Sequence, residues 1–198
     1  MLRLPLAALL AATAALPALA QPECPTRADI DGGIRLDMGD GVVETYRPLR
    51  PGVIRVTGEE AGGETYRIDL AKGLYTLAFQ DVYDGRPDPA ARTTHAFEMR
   101  PENMPDPAPG SRVSLDVVTV DFGEFLAETE HYDSGPLSEV TIGTCRYDAF
   151  EVVARYSEEP GYEDGFLYLP ELGISYLAWW REGSEREDLP VVSIAAVR

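Results

Sequence analysis

Two histidines, two cysteines and a large excess of carboxylates are the groups with which this chain could do chemistry, since 34 Asp and Glu stand against 17 Lys and Arg for a formal charge of −17. Neither histidine belongs to a metal signature. His95 and His131 lie in separate segments, outside any His-Glu-x-x-His helix or Cys/His ligand set, so a catalytic zinc site is not expected. Strand alternation through Glu128-Thr129-Glu130-His131-Tyr132-Asp133 sets Thr129, His131 and Asp133 on one face and Glu128 and Glu130 on the other. His131 and Asp133 could hold a metal only with a ligand from elsewhere. No Gly-x-Ser-x-Gly elbow marks a serine nucleophile. Paired carboxylates could act as acid and base in glycan hydrolysis, but 34 acidic residues single out no pair, and no catalytic residue is assigned.

Calcium is the better ionic hypothesis, because it takes hard oxygen ligands. Asp29, Asp31, Asp37 and Asp40 surround two glycine-containing turns and are the candidate ligands, although glycine follows Asp31 directly and no glutamate closes a twelve-residue loop frame. Aromatic residues are the other lead. They concentrate in the last third of the chain, where Tyr168, Tyr176, Trp179 and Trp180 are the candidate ligand-binding rings. Trp179 and Trp180 are adjacent, so in a regular strand they point to opposite faces and at most one enters a given core.

The compartment is read from the start of the chain. Arg3, an apolar run from Leu4 to Leu16 and the small-residue end Ala18-Leu19-Ala20 form a secretory leader, residues 1–20, with cleavage expected after Ala20. Cys24 follows Gln21-Pro22-Glu23 rather than the cleavage point, which argues against lipidation, and no transmembrane segment is expected after cleavage. A periplasmic or secreted protein results. In that oxidising setting Cys24 and Cys145 are expected to pair, closing a loop long enough for about 4–5 kcal/mol of chain-entropy stabilisation. The acidic balance excludes nucleic acid as a partner, because a phosphate backbone is bound through cationic patches.

The elements that must position these residues are strands. Period-two alternation and β-branched or aromatic enrichment dominate, and sustained helical periodicity is almost absent. Glu44-Thr45-Tyr46-Arg47 recurs as Glu64-Thr65-Tyr66-Arg67, as in two similar hairpins in series. Asp84 to Gly110 carries Pro87, Pro89, Pro101, Pro105, Pro107 and Pro109 around one short strand, Thr93–Arg100, and reads as a long loop or lid. Leu169-Pro170-Glu171-Leu172-Gly173 is a tight hairpin connection. Ser184–Asp188 is the one place for a helical turn. The expected fold is a single all-β domain over residues 21–198. It has roughly nine to eleven mostly antiparallel strands in an open or half barrel or a two-sheet sandwich.

Gly143-Thr144-Cys145-Arg146-Tyr147, with Phe166-Leu167-Tyr168-Leu169-Pro170-Glu171-Leu172-Gly173-Ile174, resembles exported β-rich alphaproteobacterial proteins of unassigned function. More distantly, a strand, Tyr-x-Pro-Glu-Leu-Gly and a second strand resemble the hairpins of periplasmic half-barrel lipoprotein carriers. That resemblance implies a curved sheet and carries over no functional residue. The function expected is a non-enzymatic periplasmic binding or envelope-associated module, with a hydrophobic ligand or an envelope protein as candidate partner. The alternatives are a carboxylate-dependent hydrolase and a calcium-dependent structural or adhesion module.

Overall fold

The structure, a computed structural model, describes residues 23–39 and 41–198. The leader, its cleavage point and Asp40 lie outside the described residues. Among the described residues fourteen strands follow one another: β1 (Ile34–Asp37), β2 (Val43–Arg50), β3 (Val53–Glu59), β4 (Thr65–Ala71), β5 (Tyr75–Tyr83), β6 (Arg86–Phe97), β7 (Arg112–Asp121), β8 (Glu124–Ser134), β9 (Ser138–Ile142), β10 (Cys145–Tyr156), β11 (Tyr162–Leu169), β12 (Ile174–Glu182), β13 (Glu185–Asp188) and β14 (Ser193–Ala196). Two three-residue 3-10 turns, Arg27–Asp29 and Pro101–Asn103, are the helical content among the described residues.

All fourteen strands form one open antiparallel sheet, ordered β13-β12-β11-β10-β8-β7-β6-β5-β4-β3-β2-β1-β14, with β9 paired to the first half of β10. The all-β expectation holds, and the strand count exceeds the expected nine to eleven. Part of the excess is β13, which replaces the helical turn expected at Ser184–Asp188. All four of its residues are exposed. With both faces in solvent, such an edge strand carries no alternating pattern to read; its backbone pairing with β12 holds it. Likewise β6 begins at Arg86, ahead of the Thr93 start expected, because Pro87 and Pro89 sit where the ladder with β5 is irregular.

The sheet is rolled up rather than split into two. Along β10 the buried residues change phase: Cys145, Tyr147 and Ala149 face one core, and Phe150, Val152 and Ala154 face another. β11 does the same, sending Leu169 to the first core and Tyr168 to the second. The second core lies inside the roll, where Tyr75, Leu115 and Tyr132 meet Phe150 and Val152. The first lies outside it, where Ile34, Leu36, Tyr46, Val56 and Ile194, from β1, β2, β3 and β14, cover the outer face of β10 to β12. The two ends of the sheet therefore overlap as a scroll. Two buried faces on the middle strands explain their dense apolar composition.

The Cys24–Cys145 disulfide is present, with Cα atoms 5.5 Å apart and a sequence separation of 121. It ties the N-terminal segment to the start of β10, and the Tyr147 hydroxyl adds a bond to the Pro25 carbonyl at 2.9 Å. Residues 98–111 close one end of the scroll. Met104, 2% exposed, plugs the second core, and Gly52 sits so close to Glu102 that a Cβ there would lie 2.8 Å from the Glu102 Cα.

Candidate functional site

Inside the roll, beside the second core, is an open cavity of about 570 Å³. The alternation of six strands builds it, with Thr76 coming from β5. β6 supplies Thr93 and His95, β7 Thr119 and Asp121, β8 Glu124, Leu126, Glu128, Glu130 and Tyr132, β10 Tyr156, and β11 Tyr162, Asp164 and Phe166. Register makes these one face: His95 opposes Thr119, Leu115 opposes Glu130, and Tyr132 opposes Ala154. With Glu159 from the β10–β11 turn, six carboxylates line the cavity and neither lysine nor arginine does.

Glu130 is 2% exposed. A buried carboxylate must find donors, and Glu130 finds the Tyr132 hydroxyl two residues on and His95 Nδ1 3.4 Å away. The Thr119 hydroxyl lies 3.2 Å from the same imidazole nitrogen. Across the cavity the Tyr156 hydroxyl donates to Asp164 Oδ2 at 2.7 Å. Two carboxylate oxygens stay unpaired: Glu128 Oε2 and Asp164 Oδ1 are buried without a hydrogen-bond partner among the described residues. Burial, reinforced by Glu130 and Glu159, pushes the Glu128 carboxyl above its ordinary 4.5. Burial also raises Asp164 above 3.8, against the lowering effect of the Tyr156 hydrogen bond and of the neighbouring Tyr162 hydroxyl. The Tyr162 hydroxyl is pushed up to about 12, chiefly by burial and then by the charge of Asp164.

The sequence-derived candidates do not converge on one place. Trp180 stacks on the cavity residue Tyr162 with ring centroids 6.4 Å apart. Trp179 opposes Gly165 in the ladder and so lies on the other face, as adjacency requires; its Nε1 donates to Glu151 Oε1 at 2.8 Å, and the Arg186 guanidinium sits 4.1 Å from its ring centroid. Tyr176 is 6% exposed in the first core. Tyr168 belongs to the second core, with its hydroxyl bonded to the Lys72 carbonyl.

Among the calcium candidates, Asp29 is committed locally, accepting from the Thr26 amide and hydroxyl at 2.8 and 3.0 Å. Those two bonds hold its carboxyl below 3.8. Asp37 accepts from the Gly39 amide, and Asp31 is an exposed turn residue. Among the described residues no group of three or more His, Cys, Asp or Glu side chains is arranged to hold a metal. His131 and Asp133 share the outward face of β8 and have other partners, Ser114 at 2.9 Å and Arg155 at 2.7 Å.

Alternation along 128–133 was enough to send Glu128 and Glu130 to the opposite face from His131. It could not show that this face is the inside of a roll, nor that His95, about thirty-five residues earlier in sequence, lies across from Glu130.

No family model matches the chain, and no curated protein matches it. Among solved structures it is similar to the hypothetical lipoprotein YmcC from Escherichia coli (K12), at 12% sequence identity and a TM-score of 0.39, over 82% of this chain and 77% of that one. No described helix is long and apolar enough to cross a membrane.

Proposed function

We propose that the protein is an exported ligand-binding module whose rolled cavity takes a small organic cation, an ammonium or guanidinium group carried on an apolar body. The unpaired, buried oxygens of Glu128 and Asp164 at the cavity wall carry this reading. A buried polar atom without a partner costs about 1–3 kcal/mol, and a ligand bearing N–H donors would remove that cost. A cation also suits six carboxylates unopposed by lysine or arginine, and the faces of Tyr156 and Tyr162 offer cation–π contact. Phe125, Leu126 and Phe166 would accommodate the apolar portion. Trp180, through its stack on Tyr162, would stiffen that wall. The Cys24–Cys145 bond and the leader-like start of the chain support export to an oxidising compartment.

The test is calorimetric titration of the protein with putrescine, choline and arginine methyl ester, alongside Glu128→Gln and Asp164→Asn. Each variant is expected to lose about tenfold or more in affinity while gaining stability, because it neutralises a carboxylate that has one buried, unpaired oxygen. No binding of any of the three up to about 5 mM, or variants that bind as the parent does, would refute the reading.

A second reading has one observation in its favour. Glu128, whose carboxyl burial raises, stands two residues from the buried Glu130 on the cavity face of β8, and the two carboxyls together are the pair a hydrolase would use. Turnover of nitrophenyl glycosides, abolished in Glu128→Gln, would select it over binding alone.

A further inference from the structure

A second pocket, of about 600 Å³, has the opposite electrostatic character. It lies where the β2–β3, β4–β5 and β11–β12 turns meet the N-terminal 3-10 turn, beyond Tyr168 on β11, whereas Tyr162 and Asp164 of the same strand line the acidic cavity. Arg27, Arg50 and Lys72 surround it, with Asp31 and Asp106 as its only acidic lining residues. In a chain whose acidic residues outnumber its basic ones two to one, three converging cations run against the trend. Among the described residues neither Arg27 nor Arg50 forms an ion pair; the one bond of the Arg27 guanidinium goes to the Leu172 carbonyl at 3.4 Å. Lys72, the only lysine of the chain, holds a left-handed backbone with φ of 53°. Side chains other than glycine and asparagine are disfavoured there. Its Nζ lies 2.8 Å from Asp106 Oδ1, on a side chain 85% exposed in the 98–111 connection.

The walls are fixed in advance. The Lys72 amide donates to the Gly52 carbonyl at 2.9 Å, and the Ser175 amide and hydroxyl both donate to the Gly73 carbonyl at 2.8 Å. Gly73 approaches the opposite turn so closely that a Cβ would lie 2.2 Å from the Gly173 carbonyl oxygen. Pro48, Val53 and Ile54 add apolar lining.

We infer that this pocket binds a phosphate-class oxyanion borne on an apolar body, with Arg27, Arg50 and Lys72 as its cationic contacts. Asp106 is the internal carboxylate that the ligand displaces from Lys72. An arginine fork matches a phosphate in two-point geometry, and lysine adds a point charge. The exposed Asp106 leaves without disturbing the core, because Met104 anchors the connection independently.

The experiment titrates the full chain with inorganic phosphate at about 0.15 M salt, following the amide resonances of Gly52, Gly73 and Gly173. Co-sedimentation with phosphatidylglycerol vesicles, and with phosphatidylcholine vesicles as control, forms the second arm. Lys72→Asn removes the charge while keeping a residue suited to the left-handed backbone, and is expected to weaken binding about fivefold or more. Arg50→Gln, at an exposed position, acts in the same direction, and Asp106→Asn strengthens binding about threefold by removing the competing carboxylate. Phosphate binding with no vesicle binding identifies a free or soluble phosphate compound as the source; vesicle binding lost in Lys72→Asn identifies a lipid headgroup. Absence of both, or binding that none of the three variants changes, overturns the inference.

Discussion

Reducing the Cys24–Cys145 bond should cost the fold a calculable amount. The bond spans 121 residues, so on the chain-entropy scale it removes about 5 kcal/mol of freedom from the unfolded ensemble. Little of this is native contact, since the Tyr147 hydroxyl still holds the Pro25 carbonyl and the Thr26–Asp29 bonds still close the 3-10 turn when the sulfurs part. For a domain of this size such a loss lowers the melting temperature by about 10–20 °C. The assay is reversible urea unfolding followed by far-ultraviolet circular dichroism, on the oxidised protein, the protein under reductant, and a Cys24→Ala/Cys145→Ala variant. Cys145 is 3% exposed in the first core, so the double variant also carries a truncation cost that the reduced protein does not. The reduced protein isolates the entropic part. A midpoint that moves under reductant by the equivalent of less than about 2 kcal/mol would refute the assignment of this bond as the staple of the scroll.

Two further predictions concern the interior. Burial raises the carboxyls of Glu44, Glu128 and Asp164, so the folded state keeps protons that the unfolded state has lost; their contribution is fully present below the ordinary values of 4.5 and 3.8 and falls as pH rises through the raised native values. Glu163 runs the other way: burial pushes it up, but Arg155 and Arg181 together outweigh that and hold it below 4.5, so its contribution disappears as pH falls through that lowered value. Urea midpoints should therefore rise as pH drops from neutrality toward the ordinary carboxyl values and fall again once Glu163 protonates below 4.5, and a monotonic loss from neutral pH downward would contradict the burial of the three raised groups. Gly165→Ala should cost about 1–3 kcal/mol by overpacking, because a Cβ there would lie 1.9 Å from the Trp179 ring. The cost should largely vanish in a Trp179→Leu background, as a double-mutant cycle by urea unfolding would show.

Alternation reveals strands where one face is buried and the other wet, and most of this fold was legible for that reason. It identified the strand character of 128–133 in β8, and it separated Trp179 from Trp180. Nothing local marks a strand whose faces are both in solvent, and β13 went unread as a strand on that account. Rolling is equally invisible to period-two patterns. The clue lies in β10, where Ala149 and Phe150 are consecutive buried residues, a slip of phase that marks the passage from one core to the other. The repeated Glu-Thr-Tyr-Arg segments were visible, but their joint consequence was not: Tyr46 and Tyr66 both donate to Glu44, while Glu64 in the second copy is exposed. His95 carried no motif because its partner, Glu130, comes from another strand of the roll.

The scroll holds three carboxylates secured by tyrosine hydroxyls, one in the outer core and two inside the roll, and they differ in how completely they are partnered. In Glu44-Thr45-Tyr46 and Glu130-His131-Tyr132 the acid and the phenol are two residues apart on one strand, so both side chains leave the same face and the ring carries its hydroxyl back to the carboxylate. Asp164 is served from the neighbouring strand by Tyr156. A buried acid and phenol of this kind rarely improve on an apolar pair in stability. Around Glu44 the arrangement is closed: Tyr46 takes Oε2 and Tyr66 takes Oε1 at 2.8 Å, so its effect is to fix the register of β2 against β4 across β3. Around Asp164 the arrangement is open, with one oxygen bonded to Tyr156 and the other buried, unpaired and on a cavity wall. The same chemistry is completed internally at Glu44 and left incomplete at Asp164, and it is the incomplete carboxylate whose free oxygen the proposed cation would engage.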